Sequence, residues 1–132
     1  MDAFKVLFVD DEIDFLDTLM KRMKKRGVDV SGVGSGEEGL KFLDEKSADV
    51  VVLDVKMPGM DGIETLRKIK NRYPLIEVIM LTGHASMEVG IEGMELGAFD
   101  YLMKPVDIDE LLYKVQDAYK KKAIHEKKIL RG

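Results

Sequence analysis

The spacing of apolar residues changes regularly along the chain between two periods, which predict β-strands and α-helices in alternation. Short, nearly unbroken apolar runs predict buried strands at 4–9, 50–53, 76–81 and 99–103. Residues 28–33 alternate apolar and polar side chains, which is typical of a strand with one solvent-facing side. Apolar residues at helical spacing fill the intervals, and they predict helices over 13–26, 35–43, 61–73, 86–96 and 107–119.

Polar residues and glycines mark the ends of these helices. A capping pattern, in which a small polar residue is followed three positions later by Glu, opens three of them, at Ser35–Glu38, Asp61–Glu64 and Asp107–Glu110. Gly27 and Gly97 end two others. The result is five βα units without an internal linker. Such a succession predicts an α/β domain whose parallel sheet is covered by helices on both faces.

Polar side chains follow four of the five predicted strands. They are Asp10 and Asp11 after strand 1, Asp54 after strand 3, Thr82 after strand 4, and Lys104 after strand 5. Each of them alone has an ordinary structural explanation, as a helix cap or a solvated strand end. Because ligands of open parallel sheets bind at the carboxyl ends of the strands, their convergence on one edge predicts a functional site there.

The residue types at this edge indicate phosphoryl transfer assisted by a metal ion. Close carboxylates repel one another by roughly 4 kcal/mol per pair at an effective dielectric near 20, so a cation is expected among them. Oxygen ligands favour Mg²⁺, with Mn²⁺ as a substitute. Asp10 and Asp11 are the expected ligands, and Asp54 is the expected nucleophile. Lys104 and the Thr82 hydroxyl are expected to contact phosphoryl oxygens.

Four segments in this order resemble the receiver (CheY-like) domain of two-component response regulators. They are VDDE at 9–12, LDVKMPGMDG at 53–62, LTGHA at 81–85 and GAFDYLMKP at 97–105. The similarity covers about residues 4–119. Within it, the sequence of residues 81–111 is similar to that of receivers of NtrC-type regulators. We therefore expect a receiver domain over 1–119 and a basic extension of the last helix over 120–132.

The resemblance implies a flavodoxin-like (βα)5 fold with strand order 2-1-3-4-5 and a defined phosphorylation site. A partner histidine kinase would donate the phosphoryl group to Asp54. The metal ligands would be Asp10, Asp11, Asp54 and the backbone carbonyl of Lys56, with Asp10 acting partly through water. The Lys104–Pro105 peptide bond would be cis. Such a domain catalyses only its own phosphorylation and dephosphorylation, and so is not an enzyme in the usual sense.

The resemblance also implies a conformational switch. On phosphorylation Thr82 would move towards the phosphoryl group and Tyr101 would turn inward, changing the face formed by helix 4, strand 5 and helix 5. That face would bind a downstream effector domain or protein, and a homodimer through it is an open alternative. Lys56 and His84 occupy positions that affect the lifetime of the phosphate in this family.

Three other functional interpretations fit the same residues less well. An aspartyl-phosphate phosphatase of the haloacid dehalogenase type needs an acid two residues after the nucleophile, where this chain has Lys56. A phosphorylation-independent interaction module would not need the full set of polar strand ends. The glycines of GSGEEG at 34–39 match a dinucleotide fingerprint, but two glutamates would then lie where a pyrophosphate binds.

Amino-acid composition and net charge limit the chemistry, the binding partners and the location that we expect for this protein. The 132 residues suit one domain, and the absence of cysteine excludes disulfides and thiolate chemistry. The net charge of −4 divides into +5 for residues 120–132 and −9 for residues 1–119, and an acidic body does not suit direct nucleic-acid binding. Neither a signal peptide nor a membrane-spanning run is recognisable, so a cytoplasmic location is expected.

Overall fold

The computed structural model describes residues 4–55, 61–83 and 87–131. Five strands and five helices alternate along these described residues, as the apolar periodicity predicts. The strands are β1 (Lys5–Val9), β2 (Asp29–Val33), β3 (Val50–Asp54), β4 (Glu77–Thr82) and β5 (Asp100–Met103). The helices are α1 (Ile13–Lys25), α2 (Gly36–Glu45), α3 (Gly62–Arg72), α4 (Met87–Glu95) and α5 (Ile108–Arg131).

All five strands are parallel and lie in the order β2-β1-β3-β4-β5, which confirms the predicted fold. The chain winds outwards in one direction from β1 to β2 and in the other from β3 to β5. The reversal lies between β1 and β3, where Val9 pairs with Leu53. The residues that follow these two strands therefore lie side by side at the point where such sheets bind ligands.

A separate apolar core lies on each face of the sheet. Val6 and Phe8 of β1 pack with α1 and α5, while Leu7 and Val9 pack with α2 and α3. This alternation explains why residues 6–9 of β1 are all apolar, since each of these four side chains faces a helix layer. Burying one such side chain contributes about 1.5–3 kcal/mol, and together the two cores hold the strand ends in place.

Helix ends form as the sequence predicts. The Ser35 side chain accepts a hydrogen bond from the Glu38 N–H at 3.1 Å, and the Asp61 carboxylate accepts one from the Glu64 N–H at 2.8 Å. Gly27 and Gly97 both have positive φ, which glycine adopts without strain. The Glu38 carboxylate also accepts a hydrogen bond from the Gly34 N–H at 2.9 Å, so an acid already uses a backbone donor that a dinucleotide phosphate would need.

The last helix continues well beyond residue 119. It runs from Ile108 to Arg131 without interruption, a length of about 36 Å at 1.5 Å per residue. The division into a domain over 1–119 and an extension over 120–132 stays a prediction. None of the described helices combines the length and apolar character needed to cross a membrane.

A buried ionic cluster ties this helix to the amino-terminal edge of the sheet. The Glu77 side chain is only 2% exposed, and its oxygens lie 3.7 Å from the Lys70 Nζ and 3.4 Å from the Lys121 Nζ. Burial lowers the pKa of Lys70, against the opposing effect of Glu77. Nearby, the Lys122 Nζ lies 2.8 Å from an Asp49 oxygen. Both Lys121 and Lys122 lie past residue 119, so this part of α5 packs on the body of the domain.

We predict that Lys121→Met destabilises the domain because it removes one of the two cations that face the buried Glu77 carboxylate. Lys121 is itself half exposed, which limits the expected loss in the free energy of unfolding to about 1 kcal/mol. Lys120→Met, at the exposed neighbouring position, is the control and should change it by less than about 0.5 kcal/mol. Urea unfolding followed by circular dichroism measures both, and equal effects would contradict the prediction.

Candidate functional site

Two buried carboxylates lie at the centre of the carboxyl-terminal edge of the sheet. Asp10 follows β1 and Asp54 ends β3, and each residue is only 5% exposed. The Asp10 N–H donates to the Val33 carbonyl at 3.1 Å, which continues the sheet hydrogen bonding by one residue. The Asp10 carboxylate accepts a hydrogen bond from the Glu12 N–H at 2.9 Å, so the chain turns immediately into α1.

Asp10, Glu12 and Asp54 form an acidic group suited to a metal ion. Each of the three offers a carboxylate oxygen, and these oxygens lie within 4.8 Å of one another. Oxygen-only ligands at this spacing fit a hard divalent cation such as Mg²⁺. Asp10 and Asp54 were expected here, whereas Asp11 is exposed and is not in this group of described residues. Lys56, the fourth expected ligand, lies outside the described residues.

Lys104 reaches across the edge from the end of β5 to all three carboxylates. Its Nζ lies 2.8 Å from Asp10, 3.0 Å from Glu12 and 3.8 Å from Asp54. Burial is the largest single influence and lowers the pKa of Lys104, but the hydrogen bonds to Asp10 and Glu12 together with the charges of Asp10 and Asp54 raise the pKa above its usual value. The Lys104 backbone N–H donates to the Thr82 carbonyl at 2.7 Å, and the Lys104–Pro105 bond is cis.

The two residues predicted to form a switch, Thr82 and Tyr101, lie on the adjacent strands β4 and β5. Thr82 ends β4 and is 1% exposed, and it pairs in register with Met103, the residue before Lys104. Gly83 follows it, and among the described residues beyond its chain neighbours a Cβ at this position would approach the Lys104 side chain alone, at 4.0 Å. Tyr101 is half buried on β5, and its ring packs against Gly90 of α4. Their switching roles stay predictions, and His84 lies outside the described residues.

The structure adds two residues that the sequence reasoning did not single out. Glu12 takes part in the acidic group and in the ion pair with Lys104, although it was known only as part of the VDDE motif. Phe15, in the first turn of α1, places its ring centroid 4.2 Å from the Lys104 Nζ. An aromatic residue one helical turn after an acidic strand end was the only signal of this contact in the sequence.

Comparison with protein-family models assigns almost all of the described residues to one family. The family model for the response regulator receiver domain matches residues 6–116. The DNA-binding transcriptional regulator NtrC of Klebsiella pneumoniae is 39% identical over 110 residues, which cover 83% of this chain and 24% of that protein. The transcriptional regulatory protein ZraR of Escherichia coli O157:H7 is also 39% identical, with 83% and 25% covered. The chain therefore spans about a quarter of the length of these relatives.

Solved structures show the same fold. A receiver domain protein (CheY-like) from Methanospirillum hungatei JF-1 superposes with a TM-score of 0.89 at 30% identity, covering 94% of this chain and 99% of that one. The NtrX structure from Brucella abortus superposes with a TM-score of 0.88 at 26% identity, covering 96% of this chain and 29% of that one. Both similarities extend over nearly all of the present chain.

We predict that Lys104→Met tightens Mg²⁺ binding, because the ammonium group and a divalent cation compete for the same carboxylates. Removing the positive charge should tighten binding about tenfold, which corresponds to about 1.4 kcal/mol. Asp10→Asn, which removes a ligand charge, should weaken binding at least about tenfold. Isothermal titration calorimetry measures both.

Lys68→Met, on the outer side of α3, is the control for loss of a lysine charge elsewhere and should bind Mg²⁺ like the wild type. If Lys104→Met bound Mg²⁺ no more tightly than this control, competition by the ammonium group would be contradicted.

Proposed function

This chain belongs to the response regulator receiver domains of two-component systems, and from that premise we propose that Asp54 accepts a phosphoryl group from the phosphohistidine of a partner histidine kinase. The observation that supports the proposal is the convergence of Asp10, Glu12, Asp54 and Lys104 on one edge of the sheet. A nucleophilic carboxylate, ligands for a cation and a fixed ammonium group are what phosphoryl transfer requires.

In the proposed reaction a carboxylate oxygen of Asp54 forms a bond to phosphorus. The phosphorus–nitrogen bond of the phosphohistidine breaks, and the histidine leaves with a proton. Mg²⁺, held by Asp10 and Asp54 with further ligands from Asp11, Glu12 or the Lys56 carbonyl, would neutralise charge on the phosphoryl oxygens, and Mn²⁺ would substitute for it. Lys104 supplies a second positive charge 3.8 Å from the nucleophile, and the Thr82 hydroxyl donates a hydrogen bond to a phosphoryl oxygen.

The domain promotes only its own phosphorylation and dephosphorylation in this proposal. A phosphatase acting through an aspartyl-phosphate requires an acid to protonate the leaving group, and a charged Lys56 at the expected position cannot do so. Lys56 and His84 are instead proposed to set how long the phosphate on Asp54 survives.

Phosphorylation is proposed to change the surface formed by α4, β5 and α5 through Thr82 and Tyr101. Phosphoryl contacts favour one of two packings of these residues, which shifts the population of the domain. Large apolar side chains are exposed on these three elements, at Ile91, Met94, Met103 and Tyr113. They provide a binding surface for an effector domain or protein, or for a second copy of the chain.

In this proposal, the response to phosphorylation is produced by protein segments other than this chain. The relatives named as transcriptional regulators are about four times as long, so DNA binding belongs to their other segments and not to this acidic domain. A cytoplasmic location, in reach of a kinase domain and of DNA, is part of the same proposal.

The test is the intact mass of the protein after incubation with acetyl phosphate in Mg²⁺ or in EDTA. Wild type should gain one phosphoryl group, about 80 Da, in Mg²⁺ only. Asp54→Asn should gain none, because its amide is not a nucleophile. Asp17→Asn, at an exposed position on α1, is the matched control and should be labelled like the wild type.

Labelling of Asp54→Asn to the wild-type extent would assign the phosphate to another residue. No adduct in any condition would favour a phosphorylation-independent interaction module. Repeated turnover of p-nitrophenyl phosphate by the wild type would favour a phosphatase.

A further inference from the structure

Phe15 makes the shortest described contact between a lysine and an aromatic ring. Its ring centroid lies 4.2 Å from the Lys104 Nζ, whereas the Lys46–Phe42 and Lys121–Phe99 contacts measure 5.8 and 5.7 Å. An ammonium group within about 6 Å of a ring centroid is attracted by the negative face of the ring, more strongly when it is shielded from water. The Lys104 side chain is 12% exposed, so this contact is largely desolvated.

Packing fixes the ring in this position. Phe15 lies in the first turn of α1, next to Leu16, whose side chain is in the core between α1, α5 and the sheet. The Phe15 ring packs on the outside of that core and is half buried. The start of α1 is itself tied to the site, because the Glu12 N–H donates to the Asp10 carboxylate. Helix packing and the turn after β1 therefore hold the ring beside the acidic group.

The contacts of the Lys104 ammonium differ in how they respond to a cation. Its two hydrogen-bonded partners, Asp10 and Glu12, belong to the group that can hold a divalent ion. Such an ion draws on the same oxygens and repels the ammonium group. The Phe15 ring offers no lone pair to a hard cation, so its contact with Lys104 does not depend on what the carboxylates bind.

We propose that Phe15 is a positioning residue that holds the Lys104 ammonium beside Asp54 when the carboxylates are engaged by a divalent cation. The inference rests on the proposed function, since it concerns the group that would meet the incoming phosphoryl oxygens. Without the ring, the cation drives the flexible lysine side chain out of the site, and the phosphoryl group loses one of its two positive partners.

The first test measures the position of Lys104 directly, without phosphorylation. Aromatic ring currents shift the Cε protons of a lysine that lies over a ring face, and this shift can be followed by NMR. In wild type the upfield shift of Lys104 should persist at saturating Mg²⁺. In Phe15→Leu it should disappear, and in Phe15→Tyr it should be retained. If the wild-type shift collapsed on addition of Mg²⁺, the proposal would be overturned whether or not Asp54 is phosphorylated.

The second test measures the rate of phosphorylation by acetyl phosphate at saturating Mg²⁺. Phe15→Leu keeps an apolar side chain of similar size but removes the ring, and it should slow the reaction about 3- to 10-fold. Phe15→Tyr should retain the wild-type rate. Phe42→Leu removes a half-buried ring on α2, which packs against the core on the other face of the sheet from Phe15; it is the control and should also retain the wild-type rate.

Mg²⁺ affinity separates positioning from general damage to the site. Phe15→Leu should bind Mg²⁺ at least as tightly as wild type, because the ammonium group that competes with the ion is no longer held in place. A distorted site would lose Mg²⁺ affinity and reaction rate together, and that result would reduce Phe15 to a packing residue. A wild-type rate in Phe15→Leu would also overturn the proposal.

Progressive fluorination of the ring at position 15 gives the sharpest version of the rate test. Fluorine weakens the negative face of the ring with little change in its shape, so the logarithm of the rate should fall steadily with each added fluorine. A flat series would show that the ring acts by shape alone. Failure of wild type to gain a phosphoryl group, with the Lys104 shift still present in Mg²⁺, would instead refute the proposed function and leave the positioning intact.

Discussion

Asp10 and Asp54 end up side by side because β1 and β3 are neighbours in register at the centre of a parallel sheet, each covered by helices on both faces. Two carboxylates this deeply buried repel each other, and little water is present to screen their charges. A nearby positive charge is therefore a condition of the fold as well as of the chemistry. Lys104 meets that condition from β5, two strands away from β3, and so links the outer half of the sheet to its centre.

The same arrangement makes the site sensitive to what it binds. Among its described ion pairs, the lysine has the two shortest with Asp10 and Glu12 and a longer one with Asp54. A cation that takes over those two oxygens leaves Lys104 with Asp54 and the Phe15 ring. Such a change of partners would require only a small motion of the Lys104 ammonium group. This motion of the Lys104 side chain would take place next to Thr82, whose carbonyl accepts a hydrogen bond from the Lys104 backbone N–H. Lys104 directly follows β5, which is part of the surface formed by α4, β5 and α5.

The fold could be predicted from the sequence because two-sided burial imposes a pattern that few other arrangements share. Every described strand and helix begins within about two residues of its predicted start, and α5 continues to Arg131, within the region 120–132 where an extension of this helix was expected. The strand-end residues Asp10, Asp54, Thr82 and Lys104 followed from the same reasoning, since parallel strands deliver their ends to one edge. Contacts that depend on the direction of a side chain could not be predicted from the order of strands and helices. Glu12 joins the acidic group at the tight turn after β1, and the ion pairs of Glu77 with Lys70 and Lys121 depend on tertiary packing.

The direction of α5 has a consequence for any longer protein that contains this domain. The helix starts near the carboxyl-terminal edge of the sheet and runs back past the opposite edge, where Lys121 and Lys122 hold it to Glu77 and Asp49. A segment that followed Arg131 would thus emerge at the pole opposite Asp54, on a stem anchored to the domain by ion pairs. Its starting direction would be set by α5, at the end of the sheet away from Asp54. A change at Asp54 could then reach the start of such a segment through the packing of α5 on the sheet.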